Sequence, residues 1–130
     1  MSLYRVILPV KDIEQAARFY SAVLGEPGRR VSGGRHYFGR DNASGAILAC
    51  YSPSDDGDAP RYGLEWSQHP LQYVYFSVDD LDAARRRCVS AGARDITSIS
   101  KQPWGETMFY AVDPFGNPIS FVQAGTEFVG

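Results

Sequence analysis

The sequence has few of the residues that proteins use for metal binding, cross-linking or nucleic-acid recognition. Its 130 residues include two cysteines and two histidines, and 13 basic against 15 acidic residues give a net charge of −2. Without an excess of positive charge to neutralise phosphates, nucleic acid is not an expected partner. The longest apolar runs have the length of a strand, and no charged leader precedes an apolar run at the start. We therefore expect a soluble, cytoplasmic protein with no membrane partner.

Several motifs of catalysis and cofactor binding are also absent. Gly25 and the Gly33-Gly34 pair lack the context of a phosphate-binding loop, and no G-x-S-x-G nucleophile motif is present. Cys50 and Cys88 lie in apolar segments without metal-type spacing, so we predict buried thiols. The acidic run 55–58 resembles a calcium loop only in its first residues, because no glutamate stands at its twelfth position. We interpret this run as a solvated loop.

A repeated motif organises the chain. The pattern V-x-D-[IL]-x-x-A occurs at residues 10–16 and again at 78–84, and an alternating strand precedes each copy. Asp12 and Asp80 are good helix N-caps, and Gly25 and Gly92 stand where each helix should end. The pattern predicts two copies of a strand followed by a helix.

Short strands with turn signals between them follow each predicted helix. The first half offers strands at 28–31, 35–40 and 45–51, with a turn at 41–44, and the second half offers strands at 95–98, 106–112 and 118–123. The second turn, at 113–117, contains proline and glycine at favourable positions. The sequence therefore predicts an α+β fold of two βαβββ units, at about 3–51 and 71–123, joined by a linker at 52–70.

Strand alternation assigns a face to each residue of the first strand of each unit. Alternate valines and leucines should pack under the helices, which turns Arg5, Ile7 and Pro9 in one unit, and Tyr73, Tyr75 and Ser77 in the other, toward the opposite side.

The paired units and their motifs resemble the vicinal oxygen chelate superfamily, which includes glyoxalase I, extradiol dioxygenases and bleomycin-resistance proteins. The resemblance rests on the run from Val10 to Gly25 and on the closing segment from Pro103 to Ile119, and it covers roughly residues 3–123. It implies two curled mixed sheets around a shared cleft, commonly completed by a second subunit, so a homodimer is expected.

The resemblance also implies where a metal ligand would stand. In metal-dependent members, His or Gln lies seven residues before each capping Asp, and a Glu lies in the last strand. Those positions hold Arg5, Tyr73 and Ser120 here, and the fourth falls among Leu48, Ala49 and Cys50. A guanidinium repels a divalent ion and neutral hydroxyls are weak ligands. We therefore predict that no metal or other cofactor is bound.

Seven residues are the predicted ligand contacts. Arg5 is either an anchor for an anionic group or a rim arginine paired with a carboxylate, and Trp104 sits on a loop where an indole can reach both solvent and ligand. Phe109 and Tyr110 lie on opposite strand faces, so only one of them can line the cleft. The predicted contacts are Arg5, Ile7, Tyr73, Tyr75, Trp104, Phe109 and Ser120.

Two main functional hypotheses remain open from the sequence, beside a weaker third, a partner module whose cleft holds no ligand. The first is a metal-independent protein, resembling the bleomycin-resistance proteins, that sequesters an aromatic or amphipathic molecule in its cleft. The second is a glyoxalase- or dioxygenase-type lyase, isomerase or oxidoreductase. It would use an atypical metal site at His36 or His69, or metal-free acid–base chemistry by Glu106 or a tyrosine.

Overall fold

The computed structural model describes residues 3–39, 45–57 and 73–129. The chain divides into two compact units, Met1–Gln68 and His69–Gly130. The described part of each unit contains a four-stranded mixed sheet and an α-helix. This confirms the predicted α+β architecture, and neither sheet closes into a barrel.

Unit 1 follows the predicted βαβββ order. Its elements are β1 (Arg5–Pro9), α1 (Ile13–Leu24), β2 (Arg29–Ser32), β3 (Arg35–Phe38) and β4 (Ile47–Tyr51). The strand order in the sheet is β1-β4-β3-β2, with β1 parallel to β4 and the other pairs antiparallel.

Unit 2 repeats the same topology. Its elements are β5 (Val74–Val78), α2 (Leu81–Ala91), β6 (Ser100–Lys101), β7 (Thr107–Val112) and β8 (Pro118–Gln123). The order is β5-β8-β7-β6, and β5 is parallel to β8. The first strand of each unit therefore pairs with the last, across the helix connection.

Both helices begin and end as their sequences predict. The Asp12 carboxylate accepts a hydrogen bond from the Gln15 amide at 3.0 Å, and Asp80 accepts one from Ala83 at 3.0 Å. These bonds satisfy amides that the first helical turn leaves free. Gly25 adopts φ 70° at the end of α1, a left-handed conformation that glycine takes without steric cost.

Each sheet buries one face against its own helix. In unit 1 this face carries Leu8, Phe38 and Cys50, and in unit 2 the rings of Phe76 and Phe109 stack on Phe121 from either side at 5.2 and 5.0 Å. Cys50 and Cys88 are both buried and unpaired with each other, as the sequence indicates.

The predicted strand at 95–98 does not form. Asp95 adopts φ 51°, which interrupts the extended conformation that a strand requires. The chain instead makes a bridge at Arg94 and a backbone hydrogen bond from the Thr97 amide to the Tyr110 carbonyl at 2.9 Å, and regular strand pairing resumes at β6.

The start of the predicted linker is packed rather than solvated. Asp55 accepts a hydrogen bond from the Ile13 amide at 2.9 Å, and the Asp56 side chain is largely buried beside Arg35. Asp58, the rest of the linker and the predicted turn at 41–44 lie outside the described residues. Neither described helix is long and apolar enough to cross a membrane.

Candidate functional site

The sheet of each unit has an open face on the side away from its helix. Ile7, Tyr73 and Tyr75 are 50%, 48% and 52% exposed, whereas Leu8 and Val10 on the helix side are buried. This pattern confirms the face assignment made from strand alternation. It places six of the seven predicted ligand residues on an open face or on the loop entering it, with Phe109 as the exception.

Strand register identifies equivalent positions in the two units. Ile7 pairs with Ala49 on β4, and Tyr75, its counterpart in the repeat, pairs with Ser120 on β8. Ala49 is therefore the unit 1 counterpart of Ser120, and it is the fourth position that the sequence left open among residues 48–50. In the same way, Tyr37 on β3 corresponds to Tyr110 on β7, because they pair with Ala49 and Ser120.

The four residues at the ligand positions of metal-dependent relatives do not fit a divalent ion. Arg5 is a permanent cation, Ala49 has no donor atom, and Tyr73 and Ser120 offer neutral hydroxyls. Among the described residues, no three His, Cys, Asp or Glu side chains converge on one point. These residues therefore offer no set of ligands suited to a divalent ion.

The open face of unit 2 carries a cavity of about 600 Å³. That volume lies in the range of small-molecule sites, which is roughly 300–1,000 Å³. Its wall combines aromatic rings with hydroxyl and carboxylate groups, contributed by Tyr75, Ser77, Trp104, Glu106, Glu127 and Phe128.

Trp104 is held in place at the cavity by Glu106. The indole N–H donates to the Glu106 carboxylate at 2.6 Å, and the other carboxylate oxygen accepts from the Phe128 amide at 3.2 Å. Gly105 adopts φ 108° between them, which lets the chain turn tightly at this point. Glu106 is buried and engaged on both oxygens, so its evident role is to position Trp104 rather than to exchange protons.

Three hydroxyl-bearing side chains stand in one row across the sheet. Tyr75, Ser120 and Tyr110 are register neighbours on β5, β8 and β7. Partial burial raises the pKa of the Tyr110 phenol, and the nearby Tyr75 and Glu106 side chains raise it further. Tyr110 is therefore a neutral hydrogen-bond donor at physiological pH.

Phe109 and Tyr110 divide between the two faces, as alternation requires. Phe109 is fully buried, where it stacks on Phe121 against the helix side, and Tyr110 lies on the open face with its ring 6.3 Å from that of Tyr73. Phe109 therefore contributes to the core. Tyr110 lies on the open face, where the sequence had predicted Phe109.

Arg5 lies on the open face of unit 1 between two phenol rings. Its guanidinium is 5.3 Å from the ring centre of Tyr4 and 5.7 Å from that of Tyr37, and it donates to the Tyr37 hydroxyl at 3.3 Å. No carboxylate lies within salt-bridge distance of it in the described part of the chain. This surrounding suits the anchor interpretation better than the paired rim arginine.

The His36 side chain is buried in unit 1, and both of its ring nitrogens are hydrogen-bonded. Its Nε2 lies 2.9 Å from the Pro27 carbonyl, which only accepts, so Nε2 carries the proton. Its Nδ1 accepts from Arg30 at 3.3 Å, which leaves neither ring nitrogen available to a metal. His69 lies outside the described residues.

The C-terminal segment also forms part of the cavity wall, which the sequence pattern did not indicate. Glu127 accepts from Ser77 and from the Gly125 amide, which fixes the segment beside β5 and brings Phe128 to the cavity wall. The hydrogen bond with Ser77 lowers the pKa of Glu127. The sequence feature that could have indicated this role is Phe128, an isolated aromatic residue after the last predicted strand.

Solved structures with a similar fold come from several bacteria. A glyoxalase-related enzyme from Fulvimarina pelagi is 20% identical with a TM-score of 0.74, covering 100% of this chain and 93% of its own. A lactoylglutathione lyase from Agrobacterium tumefaciens is 19% identical with a TM-score of 0.66, covering 95% and 93%. At these identities the similarity shows the fold alone.

Curated sequence relatives add a shorter match. An uncharacterised protein from Mycobacterium bovis is 35% identical over 54 residues, which are 42% of this chain and 36% of that protein. The match thus spans about a third of the length of these curated relatives. Over the whole domain, however, the sequence pattern of one superfamily matches residues 2–121. The chain belongs to the Glyoxalase/Bleomycin resistance protein/Dioxygenase superfamily.

Proposed function

We propose that this protein binds and sequesters a small aromatic or amphipathic molecule without the help of a metal ion. The observation that carries the proposal is the cavity of about 600 Å³ on unit 2, whose wall presents Tyr75, Trp104 and Phe128. Aromatic walls stack on planar ligands and bury their apolar surface, while a few polar groups set orientation.

The residues at the four positions that the family resemblance assigns to metal ligands support small-molecule binding rather than metal-dependent catalysis. Arg5, Ala49, Tyr73 and Ser120 include no imidazole and no carboxylate. Two of the side chains suggested for a metal-free or atypical enzyme are also engaged elsewhere, since both oxygens of Glu106 and both nitrogens of His36 have hydrogen-bond partners.

Preorganisation of Trp104 supports the same proposal. Binding normally costs the entropy of ordering side chains at the site, and a ring already held by a hydrogen bond avoids part of that cost. The bond to Glu106 fixes the indole while 45% of the residue stays exposed. Trp104 is thus a rigid stacking platform. Arg5 and Ile7, on unit 1, remain predicted ligand contacts.

A thermal-shift screen of tag-free protein against planar aromatic compounds tests the proposal. A ligand present at 100 times its dissociation constant should stabilise the fold by about 2.7 kcal/mol. Trp104→Ala should abolish the shift, while Val89→Ala, an exposed control on α2, should retain it. Binding that is intact in Trp104→Ala, or conversion of the ligand to product in the same mixture, would contradict the proposal.

We also propose that the protein is a homodimer, as members of its superfamily often are. The exposed apolar side chains of unit 1, including Leu3 and Tyr4, are available for such an interface. Sedimentation velocity at micromolar concentration should give a mass near twice 14.4 kDa. A single species at 14.4 kDa would refute the dimer.

A further inference from the structure

The Ser120 hydroxyl is a buried polar group without a partner. Ser120 is 0% exposed, and its oxygen has no hydrogen-bond partner. Buried hydroxyls in native proteins are nearly always hydrogen-bonded, because leaving one unpaired costs free energy. An exception on a face that borders a ligand-sized cavity calls for a functional explanation.

Two tyrosines close over this hydroxyl. Ser120 lies on the strand between Tyr75 and Tyr110, so the two tyrosine Cα atoms stand about 10 Å apart, which is two strand spacings. A hydrogen bond with Tyr75 is among the causes that raise the pKa of Tyr110, so the two side chains reach toward each other across the strand of Ser120. Ser120 is buried beside the half-exposed Tyr75, and the Tyr75 side chain must turn aside before a ligand oxygen can reach the Ser120 hydroxyl.

The row formed by Tyr75, Ser120 and Tyr110 lacks a hydrogen-bond acceptor for the proton of Ser120. The hydrogen bond to Tyr75 stabilises the protonated form of Tyr110, as expected if Tyr110 is its donor. The Ser120 proton then has no acceptor in the part of the chain that the structure describes, and the half-exposed Tyr75 still has its own proton to donate. A carbonyl oxygen, with two lone pairs, can accept both.

The negative charge of Glu106 favours an uncharged hydrogen-bond acceptor on the ligand. The Glu106 carboxylate is close enough to Tyr110 to act on it electrostatically, so a ligand carboxylate placed here would be repelled. A ketone, aldehyde or amide oxygen carries no net charge and avoids this repulsion. Because Tyr75 also lines the cavity, such an oxygen can be attached to a ring lying beside Trp104.

We propose that Tyr75 and Ser120 form a hydrogen-bonding subsite for the uncharged carbonyl oxygen of an aromatic ligand whose ring occupies the unit 2 cavity. The subsite rests on the proposed function, because it names the class of ligand for the same cavity. Tyr110 acts on the ligand through Tyr75, whose hydroxyl it orients, and is a positioning residue.

Matched fragments test the subsite. Acetophenone, ethylbenzene and benzoate share a ring and differ in carrying a neutral carbonyl, no oxygen, or a charged carboxylate. Their dissociation constants can be measured by NMR titration of the backbone amides, up to the roughly 10 mM range in which fragments of this size bind. The variants are Ser120→Ala and Tyr75→Phe, with Ser90→Ala on the exposed side of α2 as the control.

Wild type and Ser90→Ala should bind acetophenone about 3- to 10-fold more tightly than ethylbenzene or benzoate, the gain expected of one or two hydrogen bonds. Ser120→Ala and Tyr75→Phe should lose this preference and keep their affinity for ethylbenzene. Without ligand, Ser120→Ala should melt no lower than wild type, since it removes an unpaired group. A merely structural serine would instead lower the melting temperature.

The outcomes separate the two proposals. If the fragments bind, depend on Trp104, and show the same preference in Ser120→Ala as in wild type, the carbonyl subsite is wrong and the binding function stands. Benzoate binding as tightly as acetophenone also overturns the subsite. If neither acetophenone nor ethylbenzene shifts any amide of the unit 2 cavity, both the subsite and the proposed function are contradicted.

Discussion

At the scale of single residues, Asp56 joins three segments of unit 1. Its carboxylate accepts from the Ser32 hydroxyl at 2.9 Å and from the Gly34 amide at 2.5 Å, and it pairs with Arg35. The hydrogen bond from Ser32 is the largest of the effects that lower the pKa of Asp56. The acidic run that the sequence presents as a solvated loop thus ties β4 to the β2–β3 turn.

We predict that the stabilising effect of Asp56 depends on pH. Because the folded-state pKa is depressed, the contribution is present above the unfolded value near 3.8 and disappears as pH falls through the folded pKa. Asp56→Asn should therefore melt several degrees below wild type at pH 7, with the gap closing toward pH 3. Asp79→Asn, at an exposed aspartate, is the control. An equal gap at pH 7 and pH 3 would show that the charge of Asp56 is irrelevant.

Cys88 carries a second pH dependence, of opposite sign. Burial raises the pKa of its thiol to about 11. The folded protein therefore keeps the proton where the unfolded chain releases it, and stability is lost as pH rises from about 9 to about 11. In a Cys50→Ala background, Cys88 should resist Ellman's reagent at pH 8 until the protein is unfolded. Rapid labelling of the native protein would contradict its burial.

At the scale of elements, the first turn of each helix is held by two side-chain hydrogen bonds. Asp12 and Asp80 cap the first turn, and a second side chain accepts from the first helical amide: Asp55, after the last strand of unit 1, for Ile13, and Gln123, the final residue of β8, for Leu81. The second contact ties each helix to the strand that pairs with β1 or β5. Both helix starts are thus fixed by local and by distant hydrogen bonds.

Removal of one cap should cost a predictable amount of stability. We expect Asp80→Ala to lower the free energy of unfolding by about 1 kcal/mol, measured by urea denaturation, because the Ala83 amide loses its acceptor. Asp80→Asn retains an acceptor oxygen and should lose less. Equal losses in the two variants would mean that the charge of Asp80, and not its hydrogen bond, stabilises α2.

The elements that the sequence predicted well are those determined by neighbouring residues. The helices, their caps and the 113–117 turn follow from local rules, and in that turn the Asp113 carboxylate accepts from the Phe115 and Asn117 amides. The strand expected at 95–98 failed because pairing with β7 depends on distant residues and on the backbone of Asp95. The sequence offered Glu106 only as a candidate acid or base, since it cannot show that Glu106 accepts from both Trp104 and the Phe128 amide.

At the scale of the whole molecule, the two units share a backbone plan but carry different chemistry. Equivalent positions hold Arg5 and Tyr73, Ile7 and Tyr75, and Ala49 and Ser120. Unit 1 thus places a guanidinium between phenol rings, whereas unit 2 offers hydroxyls and carboxylates around a cavity. A metal site at these positions would need imidazole or carboxylate ligands, and the residues present offer hydrogen-bonding and stacking groups instead.

The last prediction concerns metal removal from the intact protein. If hydrogen bonds and stacking hold the ligand, then dialysis against a chelator should change neither the melting temperature nor the ligand-induced shift. Adding iron, nickel, zinc or manganese afterwards should likewise produce no stabilisation, because Arg5 repels a cation in unit 1 and the corresponding positions of unit 2 offer only weak neutral ligands. Elemental analysis of tag-free protein gives the direct measurement. Stoichiometric metal in the purified protein, lost on chelation together with ligand binding, would show that residues outside this set coordinate an ion and that the proposed mode of binding is wrong.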